Sequence, residues 1–149
     1  LADVGRRVIL PTKDLSGKGA ARGWADRPTN EYEIQDLFFI ATSPWIKSMR
    51  REEVTIVFDG QRKTADFNCC GSKLIVEIKL AKDPDDAREI SKTLLGLASF
   101  YSANPRVEAI LILVYARAAA KIDARLWATE FSYVYDSQRV IVEVIAVPG

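Results

Sequence analysis

The spacing of apolar residues changes several times along the chain, and each change marks an element. Over residues 31 to about 42, Ile34, Leu37, Phe38 and Ala41 recur at helical spacing. Thr29 or Asn30 can cap this helix, acidic residues crowd its first turns as the macrodipole prefers, and Pro44 follows its end. Residues 54–58 are β-branched and aromatic and read as a strand. Asp59-Gly60 is the strongest short hairpin signal in the chain. A second strand is expected over 64–68, a turn at 70–73, and a third strand over 74–80, giving a three-stranded meander. Asp83, Pro84, Asp85 and Asp86 then open the best helix, whose stripe is Ala87, Ile90, Leu94, Leu97, Ala98 and Tyr101. Asn104-Pro105 stops it. Residues 107–115 are almost continuously apolar, as expected at the centre of a sheet covered on both faces. A shorter helix at about 121–131 and a last strand at 139–147 close the chain. The strand–helix–strand step from 74–80 to 107–115 predicts a parallel pair joined by a right-handed crossover. The expected fold is an α/β sandwich with a mixed sheet.

One strand breaks the pattern. Alternation puts Leu74, Val76, Ile78 and Leu80 on one face and Ile75, Glu77 and Lys79 on the other. A carboxylate and an ammonium inside an apolar strand need a reason, because buried charge is costly unless it is paired or binds a metal.

Residues 1–30 fit none of these periods. A short strand is possible over 7–10, ended by Pro11; from 13 to 30 the Gly, Ser, Pro and charged residues predict a loop or arm, with Trp24 its one large aromatic. Gly17-Lys18-Gly19 lacks the spacing of a phosphate-binding loop. This segment is basic: six Lys and Arg stand against three Asp, while the whole chain carries only +1. A basic arm could contact phosphates, and a solvated tail would look the same. The domain division expected is therefore an arm over 1–30 and one globular domain over 31–149.

Composition narrows the chemistry. A chain of 149 residues, 48% apolar and 28% charged, makes one domain with a real core. It has no histidine, which removes serine–histidine and cysteine–histidine catalysis and most zinc sites. Cys69 and Cys70 are adjacent and too few for a disulfide framework, so they read as reduced residues of a cytoplasmic protein. No apolar run approaches the ~20 residues of a membrane span, and no signal peptide is evident. The missing initial methionine suggests a domain cut from something longer. Trp24, Trp45 and Trp127 are expected to pack in the core or under a lid rather than stack on bases.

If the turn near Gly71 folds residues 64–68 back on 74–80, Asp66 comes opposite Glu77 and Lys79. Two carboxylates so placed repel unless a cation sits between them. A hard divalent ion, Mg2+ or Mn2+, is a natural occupant, lowering the pKa of a bound water and stabilising charge on a phosphoryl oxygen. Lys79 could orient or deprotonate the water, since a partly buried lysine shifts its pKa readily. Glu31, near the edge of the first helix's apolar stripe, is the acid of that helix best able to reach inward.

Asp66 followed by Glu77-Ile78-Lys79 on an apolar strand is similar to the signature of the PD-(D/E)XK nuclease superfamily, and the order of elements matches its core. More narrowly, residues 30–149 resemble the DpnII/MboI-type restriction nuclease domain. The similarity lies in Glu31 to Leu37, Ala65-Asp66-Phe67, Val76 to Lys79, the helix ending in Tyr101, and Leu113-Val114-Tyr115. The resemblance implies a restriction endonuclease-like three-layer core, with a mixed central sheet flanked by helices. It implies metal-dependent hydrolysis of double-stranded DNA, with Asp66 and Glu77 as metal ligands, Glu31 assisting, and Lys79 as catalytic lysine. The family favours an arginine two before the aspartate, where this chain has Thr64, and a second lysine after the catalytic one, where it has Leu80. Arg62 or Lys63, and Lys82, are the nearest substitutes and the candidate nucleic-acid contacts. A homodimer is plausible, since a double-strand cut needs two active sites or two visits. So is fusion to further domains of a bacterial restriction, defence or DNA-processing protein.

Other readings stand beside this one. Glu77 and Lys79 could neutralise each other at a sheet end with Asp66 exposed, and Glu31 could be a surface acid kept for the helix dipole alone. A nuclease fold could survive as a binding or oligomerisation module, and the substrate could be RNA, as in a toxin.

Overall fold

The structure is a computed structural model that describes residues 1–8, 28–52, 55–58, 61–102, 104–135 and 137–147. In chain order the helices are α1 (Ala2–Val8), α2 (Glu31–Thr42), α3 (Pro84–Ser102) and α4 (Ala124–Phe131). The strands are β1 (Arg50–Arg51), β2 (Thr55–Phe58), β3 (Gln61–Thr64), β4 (Phe67–Cys69), β5 (Leu74–Ala81), β6 (Ala109–Arg117), β7 (Tyr133–Tyr135) and β8 (Gln138–Val147). Six of them form one mixed sheet in the order β1-β4-β5-β6-β8-β7. The most apolar strand, β6, runs parallel between β5 and β8, from Leu74↔Ala109 on one side to Arg117↔Val147 on the other. The edges are antiparallel: β1 on β4, β4 on β5, and β7 on β8.

Helices cover both faces, which makes three layers. One core lies under α2, where Ile34 and Phe38 meet Val76, Ile78, Leu113 and Tyr115. The other lies under α3 and α4, where Leu94, Leu97 and Tyr101 meet Ile75, Ile110 and Ile112. This is the restriction endonuclease-like α/β architecture that the sequence predicts.

The caps explain where the two long helices begin. The Asn30 side chain accepts from the Glu33 amide at 3.0 Å, while the Glu33 carboxylate accepts from the Thr29 amide at 2.7 Å. Asp83 accepts from the Asp85 and Asp86 amides at 3.0 and 2.9 Å, with Pro84 at the first helical position.

The structure corrects several expectations. Residues 2–8 are helix, not the loop or short strand expected at that end. Of that strand only Arg7 and Val8 are described, and Trp24 lies outside the described residues. Helix α1 packs tightly on β6: the Gly5 carbonyl accepts from the Tyr115 hydroxyl at 2.8 Å, and a Cβ at Gly5 would come within 2.7 Å of Leu113. The meander is also split. Among the described residues β2 and β3 pair only with each other, from Thr55↔Thr64 to Phe58↔Gln61. The hairpin signal at Asp59-Gly60 lies outside the described residues. The expected strand over 64–68 breaks at Ala65-Asp66, and pairing with β5 resumes at Phe67. The reason lies across the strands: the Asp66 side chain, not a backbone carbonyl, takes the Ile78 amide at 2.7 Å. The short edge strands β1 and β7 had no clear sequence signal. Helix α4 starts at Ala124, capped by Asp123, after a 3-10 turn at Ala118–Ala120. Trp127 packs edge-on against Phe131 at 5.3 Å, but Trp45, expected in the core or under a lid, is 87% exposed. No helix among the described residues is long and apolar enough to cross a membrane.

Candidate active site

Glu77 and Lys79 point from β5 into the layer under α3, as alternation requires, since Ile75 two residues earlier belongs to that core. That face is covered, so Glu77 is only 1% exposed. A charge this deep has to be paired or hydrogen-bonded, and it is both. The Tyr101 hydroxyl, from the last turn of α3, donates to Glu77 Oε1. Lys79 Nζ lies 3.7 Å from Glu77 Oε2. The end of α3 is pinned in turn by Gln138, whose side-chain amide donates to the carbonyls of Tyr101 and Val107.

Two further carboxylates reach the same ammonium. Asp66 Oδ2 lies 3.8 Å from Lys79 Nζ, and Glu31 Oε1, from the first turn of α2, accepts from it at 2.9 Å. The Ile78 carbonyl accepts from Lys79 Nζ at 2.9 Å. Three acids, from α2, from β5 and from the break between β3 and β4, therefore converge on one lysine. Asp66 is not exposed, and Glu31 is not merely a dipole acid, so neither of the blander readings describes this geometry.

The electrostatics follow from that crowding. Burial, then the charge of Glu77, push the Asp66 carboxyl up to about 6, against the opposing pull of Lys79 and the Ile78 amide. Burial works to lower the Lys79 pKa, but Asp66, Glu77 and Glu31 together outweigh it and the net shift is upward. The three acids thus favour Lys79 as an ammonium. Burial, then Glu77, raise the Tyr101 phenol well above its ordinary range and keep it a donor.

Of the three candidate nucleic-acid contacts, only Lys63 comes to this centre. Its ammonium lies 5.8 Å from the Tyr101 ring centre, and its pKa is lowered by burial despite attraction from Glu77. Arg62, its neighbour in β3, falls on the opposite face of the hairpin and is exposed. Lys82 is exposed just past β5, where its amide donates to Asp86. Tyr101, read from the sequence only as part of its helix, is the further residue that the structure brings to Glu77. It sits on the apolar stripe of α3, and only its hydroxyl, which needs a partner when buried, hinted at more.

The donor set suits a hard divalent cation. Every candidate ligand is a carboxylate oxygen. Among the described residues no group of three or more His, Cys, Asp or Glu side chains is drawn together as a metal centre. The carboxylates meet around the Lys79 ammonium instead.

The family model described as REase_DpnII-MboI matches residues 20–148. No curated protein and no solved structure matches the chain.

Proposed function

The chain belongs to the DpnII–MboI restriction endonuclease family, and on that footing we propose that it cleaves DNA phosphodiester bonds with a divalent ion held by Asp66 and Glu77. The observation that carries this reading is the convergence of Asp66, Glu77 and Glu31 on Lys79 at the end of β5. A bound Mg2+ or Mn2+ supplies charge neutralisation at the phosphoryl oxygens and acidifies water. The chain's own residues do the rest. Tyr101 fixes the rotation of the Glu77 carboxylate by donating to one of its oxygens. The Ile78 amide does the same for Asp66. Lys79, kept protonated by its acids, offers a positive charge and N–H donors to the scissile phosphate. Glu31, a third exposed, steadies the ammonium from the rim and assists the ion. In this reading the reaction is metal-assisted hydrolysis with no covalent intermediate, and it requires no histidine, of which the chain has none.

The same reading makes the working unit two copies of the chain, so that each strand of a duplex meets one centre. It places the domain in a cytoplasmic bacterial restriction or defence protein, where Cys69 and Cys70 stay free thiols. The test is plasmid cleavage in Mg2+ and in Mn2+ by the wild type and by Lys79→Ala, with total RNA as a parallel substrate. We expect cutting of DNA by the wild type alone. Equal cutting by both proteins, or none by the wild type in either ion, would sink the proposal, and degradation of RNA alone would redirect it to a ribonuclease.

A further inference from the structure

Helix α2 buries one polar side chain that meets nothing. Gln35 is 4% exposed, and among the described residues its amide has no hydrogen-bond partner. A glutamine amide carries two N–H donors and an oxygen acceptor, and burying it unpaired is costly. Among the described residues two other buried side chains have an unpartnered atom, Asn68 Nδ2 and Gln138 Oε1, and both atoms are sealed from solvent. The amide of Gln35 is not sealed in this way, so it keeps a narrow opening to water. A polar group left unpaired beside such an opening is placed to meet a ligand.

Its neighbours on α2 say what it faces. Glu31 lies one turn before Gln35 and Phe39 one turn after, and residues four apart stack along one side of a helix. Glu31 Oε1 accepts from Lys79 Nζ at 2.9 Å. Phe39 stacks on Phe67, with ring centres 6.2 Å apart and planes 9° from parallel. Asp66 lies between those two contacts: it precedes Phe67 in the chain, and its Oδ2 holds the amide of Ile78, the residue before Lys79. Gln35 is thus carried opposite Asp66, with the helix touching Lys79 one turn above it and Phe67 one turn below. The sheet is open at that level. β4 pairs with β5 only as far as Phe67↔Val76, and among the described residues no strand pairs with that side of β5 beyond Val76.

We propose that Gln35 is a further positioning residue of the centre, whose amide oxygen accepts a hydrogen bond from a water carried by the divalent ion at Asp66 and so fixes that water's orientation. The inference rests on the nuclease reading and deepens it. A hard ion held by few carboxylates keeps several waters, and acceptors around them hold them in place. A neutral amide suits this position, because it adds no further negative charge to Glu31, Asp66 and Glu77. The test is Gln35→Met, which keeps the side-chain length and removes both polar groups. It is read by urea unfolding in EDTA, by Mn2+ affinity in calorimetry, and by DNA cleavage in saturating Mn2+. In EDTA the urea midpoint should hold or rise, since the lost amide had no partner. Mn2+ affinity should fall roughly tenfold, as for other lost partners around a metal's ligands, and cleavage should fall with it. Stability and affinity moving apart is the mark of a positioning role, which packing alone would not produce. Gln35→Asn keeps the amide and withdraws it by one methylene. It should also weaken Mn2+ binding, and it decides the matter if Gln35→Met does not fold. Wild-type Mn2+ affinity in a folded variant overturns the proposal. So does a lowered urea midpoint with affinity per folded molecule unchanged, which would make Gln35 a packing residue. A wild type that binds Mn2+ but cuts no DNA overturns the nuclease reading alone, and the Mn2+ affinities still decide Gln35. A wild type that binds no Mn2+ overturns both.

Discussion

The two faces of β5 share one backbone and one ladder, yet they do opposite work. On the α2 side Val76 and Ile78 are fully buried among the apolar side chains of Ile34, Phe38 and Leu113. On the α3 side Ile75 begins the same way, but Glu77 follows, equally enclosed, and then Lys79, partly exposed. The dry face contributes stability through area removed from water, and each truncation there costs something. The charged face is held by a donor from Tyr101 and a cation from Lys79, and it still leaves Asp66 reluctant to ionise. Buried charge that is incompletely balanced is a tension, and a reaction centre needs that tension to bind an ion and a phosphate. The dry face should therefore govern folding and the charged face governs chemistry, with little crossover between them.

That division can be broken by four substitutions. The largest effect is expected from Lys79→Met, which keeps the side-chain length and removes the charge. Plasmid cleavage should fall by about 10³-fold, or ~4 kcal/mol of barrier, as for other preorganised stabilisers. A loss below tenfold would remove Lys79 from the chemistry. Next is Ile78→Ala on the dry face, at about 3 kcal/mol of stability by urea unfolding, for a fully buried side chain. Cleavage per folded molecule should hold, because Asp66 binds the backbone amide of residue 78 and not its side chain. Third is Tyr101→Phe, which removes one hydrogen bond to a buried carboxylate, worth about 2 kcal/mol. Cleavage should drop roughly tenfold as Glu77 loses its orientation; unchanged activity would make Tyr101 a packing residue only.

The comparison also shows what could be read in advance. The dry face was legible because alternation, helical stripes and caps each depend on residues close in sequence. The position of Glu77 and Lys79 followed from the same rule, and Glu31 followed from its angle on α2. What escaped depends on distant partners. Tyr101 looks like any core tyrosine until its hydroxyl meets a carboxylate 24 residues away. The break at Asp66 is invisible in a strand-like run, because its cause is the Ile78 amide on another strand. The direction of the Lys79 shift could not be guessed, since burial and three acids act with opposite signs and only their balance decides. Trp45 was misjudged because hydrophobicity alone predicts burial, and nothing local says that its loop is anchored by Thr42, Met49 and Ser48.

The smallest effect should have an unusual sign. Asp66 has a folded pKa of about 6 against an ordinary 3.8, so the stability it contributes is fully present below 3.8 and lost as pH rises through 6. In EDTA at pH 8 the wild type therefore carries a penalty from this carboxylate. Asp66→Asn keeps an oxygen for the Ile78 amide and removes the charge. The variant should be more stable than the wild type at pH 8 by about 1 kcal/mol, within the ~3 kcal/mol that a shift of this size allows. The gain should shrink toward zero as pH falls below 5, where the wild-type carboxyl is itself neutral. Saturating Mn2+ should stabilise the wild type and not the variant, reversing their order at pH 8. Thermal melts over this pH range, with and without Mn2+, read all three outcomes. A variant less stable than the wild type at every pH in EDTA would mean that Lys79 and the Ile78 amide more than balance Asp66. The charged face of β5 would then be as settled as the dry one.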